Sequence, residues 1–207
     1  MKNSSYSKEI LRKKIQSIRN KITPSYQNHC AQLLPNSVTG HLLSILTHAK
    51  TIASYVPFKN ELNTLTTLYN FTKTIYLPVT FDSSLVFFKW NVGEALVKNQ
   101  FGIYEPGKKI SGRKITISNL DVIFIPLIAI DCLGNRVGSG YGYYDRALAG
   151  NTASTITVGC CYDWQVLPAK VIAPEKHDVP LDMILTPTVA ITINDQILKK
   201  VGSLIHR

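Results

Sequence analysis

The sequence predicts an α/β domain built on a mainly parallel β-sheet. Three observations carry this. Short apolar runs with the composition of buried strands alternate with segments of helical periodicity. The strongest run, "DVIFIPLIAI", leads directly into a glycine-rich stretch, the arrangement in which α/β sheets present a ligand site at the carboxyl ends of their strands. Hydrophobic residues make up 45% and charged residues 17% of the 207, enough apolar side chain to close a core around one domain spanning residues 1–207.

Taken in order, Ser7 is placed to cap a helix in which Leu11, Ile15, Ile18 and Ile22 form an apolar stripe. Lys8 and Arg12, four apart, share a different face of it. Thr23-Pro24 restarts a helix by cap and first-turn proline. "TIASYVPF" reads as a buried strand ending in a loop that carries Glu61, and "ELNTLTTLYNF" as a helix with Leu62, Leu65 and Leu68 at spacing three. "TIYLPV" and "LVFFKW" are strands. "DVIFIPLIAI" is one long strand, followed by "DCLGN", the glycines, and a helix beginning over Tyr143–Ala149. "TITVGCC" and "DMILTP" complete the series. There is no internal repeat, linker or low-complexity segment.

Charge and cysteine use narrow the function classes. Lys and Arg number 23 against 13 Asp and Glu, a formal charge of +10, which favours anionic ligands. The basic residues crowd the N-terminus and recur at Lys108, Lys109, Arg113 and Lys114. They lack the aromatic interleaving of a nucleic-acid surface, so no nucleic-acid partner is expected. Cys30, Cys132, Cys160 and Cys161 make no C-x-x-C pair and no zinc spacing, and read as buried reduced thiols of a cytoplasmic protein. The charged N-terminus is unlike a signal peptide, and the apolar run ending at Ile130 is too short to span a bilayer, so no membrane association is expected.

The stretch "GNRVGSGYGYYDR" concentrates glycines, tyrosines and charges. It is neither a Walker A loop, lacking G-K-[ST], nor G-x-G-x-x-G, since Tyr143 stands three after Gly140. What remains is G-x-G-x-G (Gly138, Gly140, Gly142) running into a helix, which can aim several backbone N–H groups at an anion, with the Arg136 fork beside it.

This stretch resembles the G-x-R-x-G-x-G-x-G-Y-Y-D-R signature of the 5-formyltetrahydrofolate cyclo-ligase (5,10-methenyltetrahydrofolate synthetase) family. "KEILR" with Arg19, "IASYVPFKNELNT", "FGIYEP", "YDWQ" and "EKHDVPLDMILTP" are similar, in order, to further segments of that family. The resemblance implies a Rossmann-like three-layer α/β sandwich. It also implies ATP- and Mg²⁺-dependent closure of 5-formyltetrahydrofolate, with or without a polyglutamate tail, to 5,10-methenyltetrahydrofolate, by a monomer. On this resemblance Arg136, Val137, Gly138, Ser139, Gly140, Tyr141, Gly142, Tyr143 and Tyr144 form the ATP-phosphate loop, and Lys8 and Arg12 reach the nucleotide. Arg136 and Tyr143 serve catalysis, Asp145 and Asp178 hold Mg²⁺, and Val56, Glu61, Tyr104 and Tyr143 contact the folate. Tyr141 departs from the pattern, filling a position that is often small or basic there, with loop shape or substrate preference as the feature it would alter. A non-catalytic folate- or nucleotide-binding relative is the alternative, separated from the enzyme by turnover.

Overall fold

A computed structural model describes residues 6–72, 74–81, 84–107, 114–149, 154–193 and 196–206. Its centre is an eight-stranded sheet of β1 (Ile52–Ala53), β2 (Thr74–Phe81), β3 (Ser84–Asn91), β6 (Lys114–Ile115), β7 (Val122–Pro126), β10 (Ile156–Cys160), β12 (Met183–Leu185) and β13 (Ala190–Thr192). The order is β13-β12-β10-β7-β1-β2-β3-β6. The middle, from β12 to β2, is parallel, and the margins are closed by antiparallel partners, β13 on one side, β3 and β6 on the other. The α/β class with a mainly parallel sheet is therefore what the chain forms.

Alternation along the strands splits the core into two faces, because successive side chains point to opposite sides of a sheet. Ile52, Val122, Phe124, Ile156 and Val158 face one cluster, closed by helices α2 (Pro24–Ser37), α3 (Gly40–His48), α4 (Leu65–Leu68) and α6 (Gln196–Ile205). Ala53, Ile123, Ile125 and Ile184 face the other, closed by Leu148 of α5 (Tyr143–Leu148), Ile117, Leu127 and Leu181. Helices thus cover both faces of the sheet, the layering of a three-layer sandwich.

A smaller sheet joins β11 (Val166–Leu167), β8 (Ala129–Asp131) and β9 (Arg136–Val137), and α1 (Lys8–Arg19) packs on it through Leu11 and Ile15. The hairpin of β4 (Leu96–Lys98) and β5 (Tyr104–Pro106) forms a separate two-stranded sheet whose second strand packs against β2 and β3. Among the described residues no helix is long and apolar enough to cross a membrane.

Several expectations are corrected. "DVIFIPLIAI" is two strands, not one: β7 ends at Pro126, whose ring removes the N–H that would continue the ladder, and Ala129–Asp131 pair in the smaller sheet. The strand expected over 51–58 keeps only Ile52–Ala53; beyond it Tyr55 turns inward, its hydroxyl donating to the Leu62 carbonyl at 2.6 Å. The helix expected over 61–71 is the single turn Leu65–Leu68, begun where Asn63 Oδ1 accepts from the Leu65 N–H. Ser7 and Thr23 do cap their helices. In the first of these Ile18 is 47% exposed, and Arg19, 4% exposed, takes the inner position instead. Cys132 is exposed, whereas Cys30, Cys160 and Cys161 are buried, and none of the four is in a disulfide. Helices α3 and α6 and the β4–β5 hairpin were not foreseen. Of the second basic cluster, Lys114 lies in β6, and Lys108, Lys109 and Arg113 lie outside the described residues.

Candidate active site

A cavity of about 730 Å³ opens where β1 and β7 end, between α1, the loop carrying Glu61, the glycine loop and the β4–β5 hairpin. This is the volume of a small-molecule site. Every sequence-predicted site residue except Val137 lines it: Lys8, Arg12, Val56, Glu61, Tyr104, Arg136, Asp178 and the run from Gly138 to Asp145. Val137 is wholly buried with Leu11 and Ile15, and its carbonyl accepts from the Ile128 N–H at 2.8 Å. Its side chain packs under the loop, outside the cavity lining.

The glycine loop follows β9 and turns into α5. Gly140 and Gly142 hold φ of 99° and 67°, conformations that favour glycine, and they set Tyr141 between them as an exposed tip. Tyr141 lies 5.9 Å from the Phe101 ring and 6.3 Å from that of Tyr143, so it bridges the loop to the hairpin. Arg146 stands 5.1 Å over Tyr143, and Lys98 5.1 Å over Tyr104, each a cation on an aromatic face. Tyr144 packs against the core beneath, where burial raises its hydroxyl well above the ordinary value.

Cations and carboxylates interleave on the α1 side. Lys8 pairs with Asp178 and lies 3.9 Å from Glu175. Arg136 pairs with Asp145 through Nη2 and donates through Nη1 to the Val179 carbonyl at 2.7 Å. The Arg136 fork is therefore committed to orienting Asp145 and the 178–179 segment, a role more structural than the open fork expected. Burial lowers its pKa, and the charges of Asp145 and Asp178 oppose that, so both carboxylates act on one guanidinium. Arg12 Nε donates to the Gly138 carbonyl at 2.8 Å, tying α1 to the loop.

Asp145 and Asp178 suit Mg²⁺ as hard oxygen donors grouped around one cation. Among the described residues no group of three or more His, Cys, Asp or Glu is arranged to hold a metal. Two carboxylates fit an ion that takes its remaining ligands from phosphates and water, as Mg²⁺ does.

At the other end Glu61 is nearly enclosed. The Phe58 N–H donates to its Oε2 at 3.0 Å, and Arg19 Nη2 lies 4.0 Å from its Oε1. Burial pushes the carboxyl up to about 7, against the opposing pull of Arg19 and the Phe58 N–H. A carboxylate so perturbed by burial, inside a cavity, makes Glu61 a candidate binding group.

Arg19, Gln16, Phe101 and Arg146 also line the cavity and had no assigned role in the sequence reading. The signal for two of them was present: Lys8, Arg12, Gln16 and Arg19 recur at the spacing of one helix face.

Fold and site together define a layered α/β protein with a small-molecule site at the ends of its parallel strands. One end of that site is rich in cations and loop amides, and the other holds a buried carboxylate. The comparisons give the particular family. The model of the 5-formyltetrahydrofolate cyclo-ligase family matches residues 4–187. A 5-formyltetrahydrofolate cyclo-ligase of Haemophilus influenzae is 35% identical over 187 residues, covering 86% of this chain and 96% of that protein. One of Escherichia coli K12 is 32% identical over 182 residues, covering 84% and 97%. The chain belongs to the 5-formyltetrahydrofolate cyclo-ligase family, and is a ligase. Two solved 5,10-methenyltetrahydrofolate synthetases share the fold, each at 24% identity. That of Aquifex aeolicus has a TM-score of 0.76, covering 91% of this chain and 93% of its own. That of Mycoplasma pneumoniae has a TM-score of 0.68, covering 87% and 98%.

Proposed function

We propose that this protein closes 5-formyltetrahydrofolate to 5,10-methenyltetrahydrofolate, consuming ATP and releasing ADP and phosphate. The observation that carries the reading is the division of the cavity: Lys8, Arg12, Arg136 and the glycine loop at one end, the buried Glu61 carboxylate with Arg19 at the other. A polyphosphate suits the first. The second suits a pterin, whose ring N–H and amino groups are donors for Glu61.

The chemistry explains why a nucleotide is required. Ring closure forms a bond from N10 to the formyl carbon and breaks the bond from that carbon to oxygen. Oxide or hydroxide is a very poor leaving group. If the formyl oxygen first attacks the γ-phosphorus, ADP departs, and the same oxygen later leaves as phosphate. The protein then supplies alignment and charge stabilisation rather than a nucleophile. Lys8, Arg12 and the amides of Gly138–Gly142 hold the polyphosphate, and Arg136 fixes Asp145 beside it. Asp145 and Asp178 would hold Mg²⁺, which when bound supplies positive charge against the phosphate oxygens. Tyr143, Val56 and Tyr104 flank the folate, and Glu61 accepts its donors.

The test is absorbance at the methenyl band with 5-formyltetrahydrofolate, Mg²⁺ and ATP, with ADP and phosphate counted alongside. Equal amounts of all three products are expected. Full-rate product without nucleotide would rule out the phosphorylated route, and ligand binding without turnover would leave a non-catalytic relative.

A further inference from the structure

Arg19 is a buried cation of the cavity that the phosphate end does not explain. It closes the last turn of α1 with its side chain 4% exposed. Nη1 donates to the Leu127 carbonyl at 3.1 Å, while Nε is buried with no hydrogen-bond partner. Burying a guanidinium with a donor unused is unfavourable, so a compensating charge beside it matters. That charge is Glu61, at 4.0 Å, too far for a hydrogen bond but close enough for a strong field inside the fold.

The loop carrying Glu61 is built onto the same residue. Lys59 and Asn60 turn the chain with φ of 46° and 62°, and Asn60 Nδ2 donates to the carbonyls of Arg19 and Ile22 at 3.1 and 3.4 Å. Arg19 thus meets the loop twice, by its backbone as an anchor and by its side chain as a charge. A substitution of the side chain leaves the anchor in place.

We propose that Arg19 is a positioning residue that holds the Glu61 carboxylate ionised and turned to the cavity, and thereby sets the pH range over which the folate ring binds. The inference rests on the reading that Glu61 receives the pterin donors. The other groups acting on Glu61 are poor substitutes. The hydroxyls of Tyr55, Tyr144 and Tyr162 face it from the turn after β1, from α5 and from the turn after β10. Burial raises all three, which keeps them neutral. Lys59, on the same loop, stands over the Phe58 ring at 5.2 Å. With Arg19 gone, desolvation of Glu61 is opposed only by the Phe58 N–H, and the carboxyl takes up its proton at higher pH.

The experiment measures separate affinities for 5-formyltetrahydrofolate and ATP across pH, in wild type, Arg19→Met, Arg19→Gln and Arg19→Lys. In the neutral variants folate binding should weaken at least about tenfold at neutral pH and recover to within about threefold of wild type two pH units higher. ATP affinity should not change, and Arg19→Lys should restore most of the loss. Arg19→Gln keeps a donor for the Leu127 carbonyl and decides the matter if the Met variant does not fold. An equal loss at both pH values would mean a structural role and overturn the proposal, as would no loss at neutral pH. Wild type that binds no 5-formyltetrahydrofolate would overturn the functional reading and this inference with it. Wild-type binding, with either adverse result in the variants, overturns the inference alone.

Discussion

Glu61 holds its charge against its surroundings, and that has a cost the whole fold bears. Its carboxyl titrates near 4.5 when unfolded and at about 7 in the folded chain. The folded state therefore binds the proton more tightly. Its contribution to stability is full below pH 4.5 and is lost as pH rises through about 7. Glu61→Gln removes this loss, and should raise stability above neutral pH by about 1–3 kcal/mol, the Glu61 side chain being 17% exposed. The same variant should weaken folate far more than ATP. Thermal unfolding at pH 8 and near 4.5, with separate titrations of each ligand, decides both points. A gain at both pH values, or equal losses for the two ligands, would return Glu61 to a structural role. Asp145→Asn makes a complementary case. It removes an anionic oxygen from the proposed metal shell and the partner of the buried Arg136. Half-maximal turnover should then need more Mg²⁺, with folate affinity little changed. An unaltered Mg²⁺ titration in a folded variant would make Asp145 a partner for Arg136 alone.

At the scale of elements, α1 is the sharpest case, because it joins the smaller sheet by one face and the cavity by another. Lys13 illustrates the outer face: it pairs with Glu9 at 2.8 Å, with both side chains mostly exposed, and Lys13→Ala should change little. Arg12 is tied to the glycine loop at the Gly138 carbonyl. If it also meets the ATP phosphates, Arg12→Ala loses a charge-assisted bond worth about 1.5–3 kcal/mol. That corresponds to a roughly ten- to hundredfold weaker ATP interaction. The ATP dependence of turnover measures it, with thermal unfolding as control, and a normal dependence would remove this helix from the site. The same helix shows what the sequence made legible. For Lys8 and Arg12, spacing four showed a shared face apart from the apolar stripe, and the family resemblance supplied the role proposed for it. Arg19 continues that face at helical spacing, but its role could not be read from the helix alone, because its partner Glu61 approaches from a distant loop. The glycine loop was legible because Gly140 and Gly142 adopt backbone conformations that suit glycine. The break after Pro126 was hidden inside an unbroken apolar run, since β7 and β8 are both buried although they join different sheets. Helix α6 went unread, although Ile197, Val201 and Leu204 lie at helical spacing and close one face of the core.

At the scale of the molecule, the charge of +10 and the polarity of one cavity belong to the same argument. Both proposed substrates are anions, one through its phosphates and the other through its glutamate carboxylates. A positive surface raises their encounter rate at long range, and salt screens that range, the Debye length being about 8 Å at physiological ionic strength. Contacts inside the cavity are partly desolvated and are screened far less. Lys8 and Arg136 show this, their side chains being 12% and 5% exposed beside their carboxylate partners. The two effects separate kinetically. Raising the salt concentration should lower kcat/KM for both ATP and 5-formyltetrahydrofolate several-fold, while kcat, set after the ligands are enclosed, changes much less. Initial rates over a salt series test this, with thermal unfolding in the same buffers to exclude a loss of fold. A flat kcat/KM would make the net charge irrelevant to capture, leaving it a property of the solvated surface. A parallel fall of kcat and kcat/KM would instead place the salt-sensitive contacts in the bound complex, among Lys8, Arg12 and the glycine loop.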